Sequence, residues 1–278
     1  MIKTILAVVD GANPDHGSIQ LAIRWASNTN ALLVGLGVID ESITHRAESV
    51  PLGASEAKHE LDAARLHEQQ LAIETCLSEI ALQCANQGVS FKPLEDLGRP
   101  THMISVEAQR FDVIVMPRYL RDGSEPAELG LSKALSSVLH AAPRPVVAVP
   151  EQVGGGEAVV IAYDGSLQAA RTLQQFEASG LSNDRPIHVV SVQENSHEAA
   201  ACGNRAVEFL DFHGIRAALH VEKHAASPAK KIIECANRLN AGLLVMGAYG
   251  QPCIREFILG SATKDILANC SIPVFLYH

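Results

Sequence analysis

Short runs of aliphatic and β-branched residues alternate along this chain with longer stretches in which apolar positions recur every three or four residues. The short runs are almost uninterrupted in hydrophobicity, as expected of strands buried on both faces. The longer ones carry a single apolar stripe, as expected of helices that cover a sheet. In the first half the pattern predicts strands over Lys3–Val9, Ala31–Val38, Val89–Leu94, Asp112–Met116 and Pro145–Val149, with helices over His16–Ser27, Ser55–Asn86, His102–Gln109 and Ser132–His140. In the second half it predicts strands over Ala158–Tyr163, Ile187–Val192, Ala217–Glu222, Leu243–Met246 and Val274–Tyr277, with helices over Leu167–Ala178, His197–Phe212, Pro228–Leu239 and Ser261–Asn269. Regular alternation of the two kinds of element specifies an α/β protein with parallel sheets.

The halves are copies of one unit. ILAVVDG (Ile5–Gly11) aligns with VVIAYDG (Val159–Gly165), so that Asp10 and Asp164 each end a first strand. DVIVMP (Asp112–Pro117) aligns with GLLVMG (Gly242–Gly247), and PVVAV (Pro145–Val149) with PVFLY (Pro273–Tyr277). Matching landmarks in matching order indicate an internal duplication. Between the copies lies EQVGGGE, whose three glycines, Gly154 to Gly156, read as an inter-domain linker. The expected domains are residues 1–151 and 157–278.

The stretch LLVMGAYGQPCIREFILGSATKDIL carries the candidate chemistry. Its strand runs into Gly247 and Gly250, and Gly260 and Ser261 then open a helix. Glycine can adopt positive φ and lets backbone N–H groups approach an anion. The helix start adds unpaired donors and the positive end of a dipole. That dipole term is only about 0.3–1 kcal/mol, so several donors must converge. Each glycine alone is better explained by turn geometry, and Asp164 or Ser166 equally by capping of the following helix. The complete G-x2-G-x9-G-S spacing after a buried strand points instead to a ligand loop.

Composition narrows the classes. With 278 residues and a net charge of −9, the chain lacks the basic excess of a nucleic-acid-binding surface, and 4% aromatics leave few stacking platforms. The apolar run in MIKTILAVVD is too short for a signal peptide and no stretch reaches the length of a membrane span, so a cytoplasmic protein without a membrane partner is expected. Six cysteines form no CxxC pair and read as reduced thiols. His220 and His224 are four apart on a strand and turn rather than a helix, so no metal site is expected.

On the Asp after the first strand, the VMG strand ending, and the glycine loop followed by a helix and an IPV strand, the chain resembles the universal stress protein family in its tandem form. The resemblance covers nearly all of the chain. It implies two tandem five-stranded parallel sheets, each in the order 3-2-1-4-5 with helices on both faces. In such a sheet the order reverses beside the first strand, and ligands bind in the crevice at the carboxyl ends of the first and fourth strands. It also implies ATP, or ADP or AMP, with or without Mg, as the ligand. Candidate binding residues carried over are Ala162, Tyr163 and Asp164 at the first strand end, where Asp164 accepts from adenine or ribose, and Val192 as an apolar wall. Met246, Gly247, Ala248 and Gly250 form the loop, and Gly260, Ser261, Ala262 and Thr263 bind phosphate. Gln251 and Pro252 stand where many members have a basic residue and a hydroxyl, with Arg255 and Lys264 as the nearest replacement charges. Gly242 replaces the Asp common at the start of the fourth strand, a difference expected to bear on folding more than on binding.

The first copy has lost these features. Pro117, Leu120 and Ser132 stand where Gly247, Gly250 and Gly260 do, and the intervening loop carries Arg118 and Arg121. One adenine nucleotide per chain is therefore expected, in the second copy. The resemblance further implies that the copies pair through their last strands, with further homodimerisation open. No GxxxxGK[ST] or metal-carboxylate arrangement accompanies the loop, so no catalytic residue is assigned. The leading expectation is a non-enzymatic stress-response or regulatory protein; the alternatives are a slow ATPase and a scaffold without nucleotide binding.

Overall fold

Both copies wind as expected, but their strands form one sheet. The computed structural model describes residues 1–9, 11, 16–41, 55–119, 133–182, 185–223, 227–248 and 260–278. The first copy runs β1 (Thr4–Val9), α1 (His16–Thr29), β2 (Leu32–Asp40), α2 (Ser55–Asn86), β3 (Phe91–Gly98), α3 (Pro100–Glu107), β4 (Val113–Pro117), α4 (Lys133–Ala141) and β5 (Val146–Val149). The second runs β6 (Ala158–Ala162), α5 (Leu167–Ser179), β7 (Ile187–Gln193), α6 (Ser196–Phe212), β8 (Ala217–Lys223), α7 (Pro228–Arg238), β9 (Ala241–Gly247), α8 (Ser261–Asn269) and β10 (Val274–Tyr277). The strand order is β3-β2-β1-β4-β5-β10-β9-β6-β7-β8, which is the 3-2-1-4-5 order read outward from a shared centre in each direction.

Within each copy neighbouring strands are parallel. At the centre β5 and β10 pair antiparallel, with Val274 opposite Ala148, Phe275 opposite Val147 and Leu276 opposite Val146. The carboxyl ends of the two sets of strands therefore point to opposite margins of the sheet. The outer strands β3 and β8 are only half-buried, and Pro93 interrupts the β3 edge, which protects it from edge-to-edge pairing.

Alternate strand residues feed two cores. Ile5, Ala7, Val147 and Phe275 pack with α1, α2, α5 and α6 on one face, whereas Leu6, Val8, Ala148, Val274 and Leu276 pack with α3, α4, α7 and α8 on the other. Each core runs unbroken through both copies. Phe176 of α5 meets Phe275 of β10 edge to face, with ring centroids 5.9 Å apart. Ile2 N–H donates to the Ser179 carbonyl at 2.9 Å, tying the start of the first copy to the end of α5.

The glycine linker between the copies is packed against the second one. Gly154 N–H donates to the Ser271 carbonyl at 2.9 Å, and Gly156 N–H to the Ala241 carbonyl at 3.3 Å. Gly155 has φ +92°, and a Cβ there would stand 2.0 Å from the Ala241 carbonyl oxygen. Gly155 and Gly156 are glycines because their backbone lies against the residues that open β9.

On the outer pair of strands, His188 Nδ1 and His220 Nε2 stand 3.1 Å apart. Burial, then the neighbouring His188 and Arg238, lower the His220 pKa below its ordinary 6.5, against an opposing pull from Glu222. The folded chain thus resists a proton that the unfolded chain accepts. This contribution to stability is intact above about pH 6.5 and declines as pH falls below it. Urea midpoints measured down to pH 5.5 should show that decline, and His220→Gln should flatten it; an unaltered slope would remove His220 as its source.

Candidate functional site

The second copy brings the first-strand Asp and the phosphate-helix candidate to adjacent strand ends. β6 and β9 are parallel neighbours, with Ile161 opposite Val245. Beyond β6, Asp164 Oδ1 accepts from Ser166 N–H at 2.9 Å, and Ser166 Oγ accepts from Ala169 N–H at 3.1 Å. This is an Asx turn followed by an N-cap, so the capping role falls to Ser166 while Asp164 remains exposed at the crevice margin. Gly165 supplies the left-handed backbone that the turn requires, at φ +80°. Tyr163 N–H continues the ladder to the Val190 carbonyl at 3.0 Å, and burial pushes its phenol pKa up, against the pull of Arg205. Ala162 ends β6 half-buried, while Val192 and Met246 are buried near the ends of β7 and β9 and join the core under α7 and α8.

Neither Gly247 nor Gly260 takes positive φ. A Cβ on Gly247 would come within 3.0 Å of Gln168 C and Ala169 N, so this glycine lets the start of α5 sit against the end of β9. Gly260 has φ −54° and is the N-cap residue of α8, without a side chain to cap it. Gly250, Gln251, Pro252 and Arg255 lie outside the described residues, as do Asp10, Leu120, Arg121, Ser132 and His224.

Ala248 and Thr263 are joined to each other. The Thr263 hydroxyl donates to the Ala248 carbonyl at 2.9 Å within the protein interior, and Ala248 N–H donates to the Tyr277 carbonyl at 2.9 Å. The Thr263 hydroxyl is thereby committed to holding the N-terminal end of α8 against the end of β9, and the Ala248 N–H to tying that end to β10. The first regular bond of α8 runs from Lys264 N–H to the Gly260 carbonyl at 3.0 Å. The N–H groups of Ser261, Ala262 and Thr263 precede it in the turn whose donors have no intrahelical partner. Ser261 is exposed there and Lys264 lies exposed one turn on.

Three residues near Asp164 were not foreseen. Gln193 Nε2 donates to the Asp164 carbonyl at 3.4 Å and to Cys202 Sγ at 3.3 Å, and Arg205 Nη2 donates to the same sulfur at 3.0 Å. A Cβ on Gly165 would lie 3.0 Å from Cys202 Sγ and 3.4 Å from Arg205 Nη2. Cys202 and Arg205 are one helical turn apart on α6, the spacing that would have placed both over the strand ends.

At the matched position of the first copy, polar groups give way to packing. A Cβ on Gly11 would meet Ile73 Cγ1 at 2.7 Å, and one on Gly37 would meet Ile73 Cγ2 at 2.2 Å. Ile73 belongs to α2, which has 32 residues against 17 in its counterpart α6. Farther along, Gln69 Oε1 accepts from Asp40 N–H at the end of β2, at 3.0 Å. Thus α2 runs along the strand ends that remain polar in the second copy.

Among the described residues, no group of three or more His, Cys, Asp or Glu side chains is arranged to hold a metal ion, and no helix is long and apolar enough to cross a membrane. The polar groups at the second copy's strand ends, backbone N–H groups and a hydroxyl as donors and one exposed carboxylate as acceptor, suit an anion attached to a hydrogen-bond donor.

Two tandem doubly wound α/β units sharing one sheet define the structural class. The universal stress protein family model matches residues 1–150 and again 157–278, and the chain belongs to that family. The chain is 28% identical to the universal stress protein Slr1230 of Synechocystis sp. over 292 aligned positions, covering 100% of both chains. A universal stress protein from Archaeoglobus fulgidus DSM 4304 superimposes with a TM-score of 0.71 at 20% identity, over 99% of this chain and 97% of the other. The protein PA1789 of Pseudomonas aeruginosa PAO1, described as functionally unknown, does so at 0.63 and 16% identity, over 99% and 92%.

Proposed function

We propose that this chain is a cytoplasmic, non-enzymatic regulatory protein that binds one adenine nucleotide, ATP or its di- or monophosphate, in the copy formed by residues 157–278. The observation that carries this reading is the contrast between matched glycines. Gly11 is covered by Ile73, whereas Gly165 faces the Cys202 thiol and, just beyond it, the Arg205 guanidinium, beside the exposed Asp164. Asp164 accepts from the adenine or ribose, Ala162, Tyr163, Val192 and Met246 form the wall, and Arg205 places a positive charge beside them. The loop from Gly247 through Gly250 borders the phosphates, and the N–H groups of Ser261, Ala262 and Thr263 with the Ser261 hydroxyl bind them. Ala248 and Thr263 contribute by fixing the helix rather than by donating side-chain bonds to ligand. Mg, when present, enters with the phosphates.

In the copy formed by residues 1–151, the degenerate loop and the long α2 leave structural roles. The antiparallel β5–β10 pairing then makes internal the arrangement that two separate copies would form as a dimer. Calorimetric titration with ATP, ADP and AMP tests the reading. A stoichiometry of one is expected, with micromolar affinity near −8 kcal/mol, lost in Gly250→Val. Two sites per chain, or unchanged binding in the variant, would remove the assignment. Phosphate release of about one per second, abolished by the same substitution, would favour the ATPase alternative.

A further inference from the structure

Arg118 follows β4 at the position that Ala248 occupies after β9. The two backbones behave alike: Arg118 N–H donates to the Val149 carbonyl at 2.9 Å, as Ala248 N–H does to Tyr277. The side chains diverge. Ala248 stops at Cβ, whereas Arg118, only 3% exposed, carries its guanidinium across the β5–β10 seam into the other copy. There Nη1 donates to the Leu267 carbonyl at 2.8 Å and the Cys270 carbonyl at 2.5 Å, and Nη2 donates to the Ile272 carbonyl at 2.5 Å.

These carbonyls belong to the last turn of α8 and the segment leading into β10. Helix ends leave carbonyls without intrahelical partners and carry the negative end of the dipole, and a forked cation answers both. With nine residues, α8 is a rod roughly 13 Å long. The Thr263–Ala248 bond pins its front end and Arg118 pins its rear.

We propose that Arg118 is a positioning residue for the anion site of the second copy. The first copy's former ligand loop grips α8 by its carboxyl end and so fixes the direction of the Ser261–Thr263 N–H groups. This rests on the adenine-nucleotide reading, and it gives the first copy a part in ligand binding without a ligand of its own. By linkage, nucleotide binding tightens the Arg118 contacts to the same extent that those contacts tighten binding.

The test uses the full chain with Arg118→Met, which keeps bulk but no donors, Arg118→Lys, which keeps charge and donors, and Asp112→Asn as a control. Asp112 accepts from Lys3 N–H at 2.8 Å and Thr4 N–H at 3.0 Å within the first copy. ATP affinity by calorimetry and amide exchange of residues 264–267 are both read on folded protein. Arg118→Met should weaken ATP binding about tenfold and speed exchange in α8 but not in α5, with the Lys form within about threefold of the parent and the control unchanged. Parent-like affinity in Arg118→Met, or equal weakening in the control, overturns the proposal. If Arg118→Met fails to fold, the Lys form decides: exchange sped in α8 but not in α5, as the fork is lost, upholds the grip, and parent-like α8 exchange overturns it. If the parent chain takes none of the three nucleotides, the site reading falls. Exchange then decides alone, faster α8 exchange in Arg118→Met upholding the grip and unchanged exchange overturning it.

Discussion

Gly242→Asp should lower stability by about 3 kcal/mol or more, read as the midpoint of denaturant unfolding. A Cβ on Gly242 would stand 1.8 Å from the Gly156 carbonyl oxygen, a backbone atom that cannot swing aside as a side-chain tip can. Aspartate is nevertheless the residue at the matched place in the first copy. There Asp112 Oδ2 accepts from Lys3 and Thr4 N–H and lies 3.2 Å from Thr4 Oγ1, holding the start of β1. In the second copy the preceding chain is the linker, and its backbone occupies the space that the carboxylate fills in the first. The same substitution that is native in one copy is thus excluded from the other. Asp112→Gly should cost only about 1 kcal/mol, because the N–H groups it frees are near solvent. A loss below about 1 kcal/mol in Gly242→Asp would mean that residues 154–156 shift freely, contrary to their bonds to Ser271 and Ala241.

The same residues mark the boundary of what the chain discloses as a sequence. Strand and helix order was legible because strands buried on both faces read as unbroken apolar runs, and the first core helix residues recur with helical period. The duplication was legible because landmarks such as ILAVVDG and VVIAYDG fall at matching places. The roles of Gly154 to Gly156 were not, because a glycine run looks the same whether it is a tether or a close backbone crossing. Gly247 is similar: its strand-end position suggested positive φ, but the start of α5 approaching to 3.0 Å is a tertiary requirement. Arg118 was read as a loop cation because its acceptors lie 149, 152 and 154 residues away, beyond any local pattern. In each case the residue type was informative and its partner was not, since the partner comes from an element distant along the chain. Gln193, Cys202 and Arg205 escaped for the opposite reason. Gln193 and Arg205 are polar positions that ordinarily face water and Cys202 reads as a small apolar one, and only the packing of α6 over β7 and β8 brings them beside Asp164.

Ser261→Asp separates the stability of α8 from its capacity to bind phosphate, and the two should move in opposite directions. Helix α8 has no acidic residue in its first turn, and Gly260 provides no capping side chain. A carboxylate at exposed Ser261 meets the positive end of the helix dipole, which should leave stability unchanged or raise it by about 0.3–1 kcal/mol. A bound phosphate would use the same N–H groups and the same field, now partly neutralised and with a like charge beside it. Two unit charges 4 Å apart repel by about 4 kcal/mol near a protein surface, before the exposure of Ser261 reduces the figure. The expected result is ATP binding weakened by about tenfold to a hundredfold, equivalent to roughly 1.4–2.7 kcal/mol. The loss should shrink as salt is added, because screening acts on the repulsion, while Ser261→Asn, neutral and the size of Asp, should lose only the hydroxyl's hydrogen bond, a smaller loss without that salt dependence. Calorimetric titrations at two ionic strengths, paired with thermal melts, give both quantities on one preparation. A variant that melts no lower than the parent yet binds ATP with undiminished affinity would take the N-terminus of α8 out of the site and leave Gly260 as the helix N-cap alone.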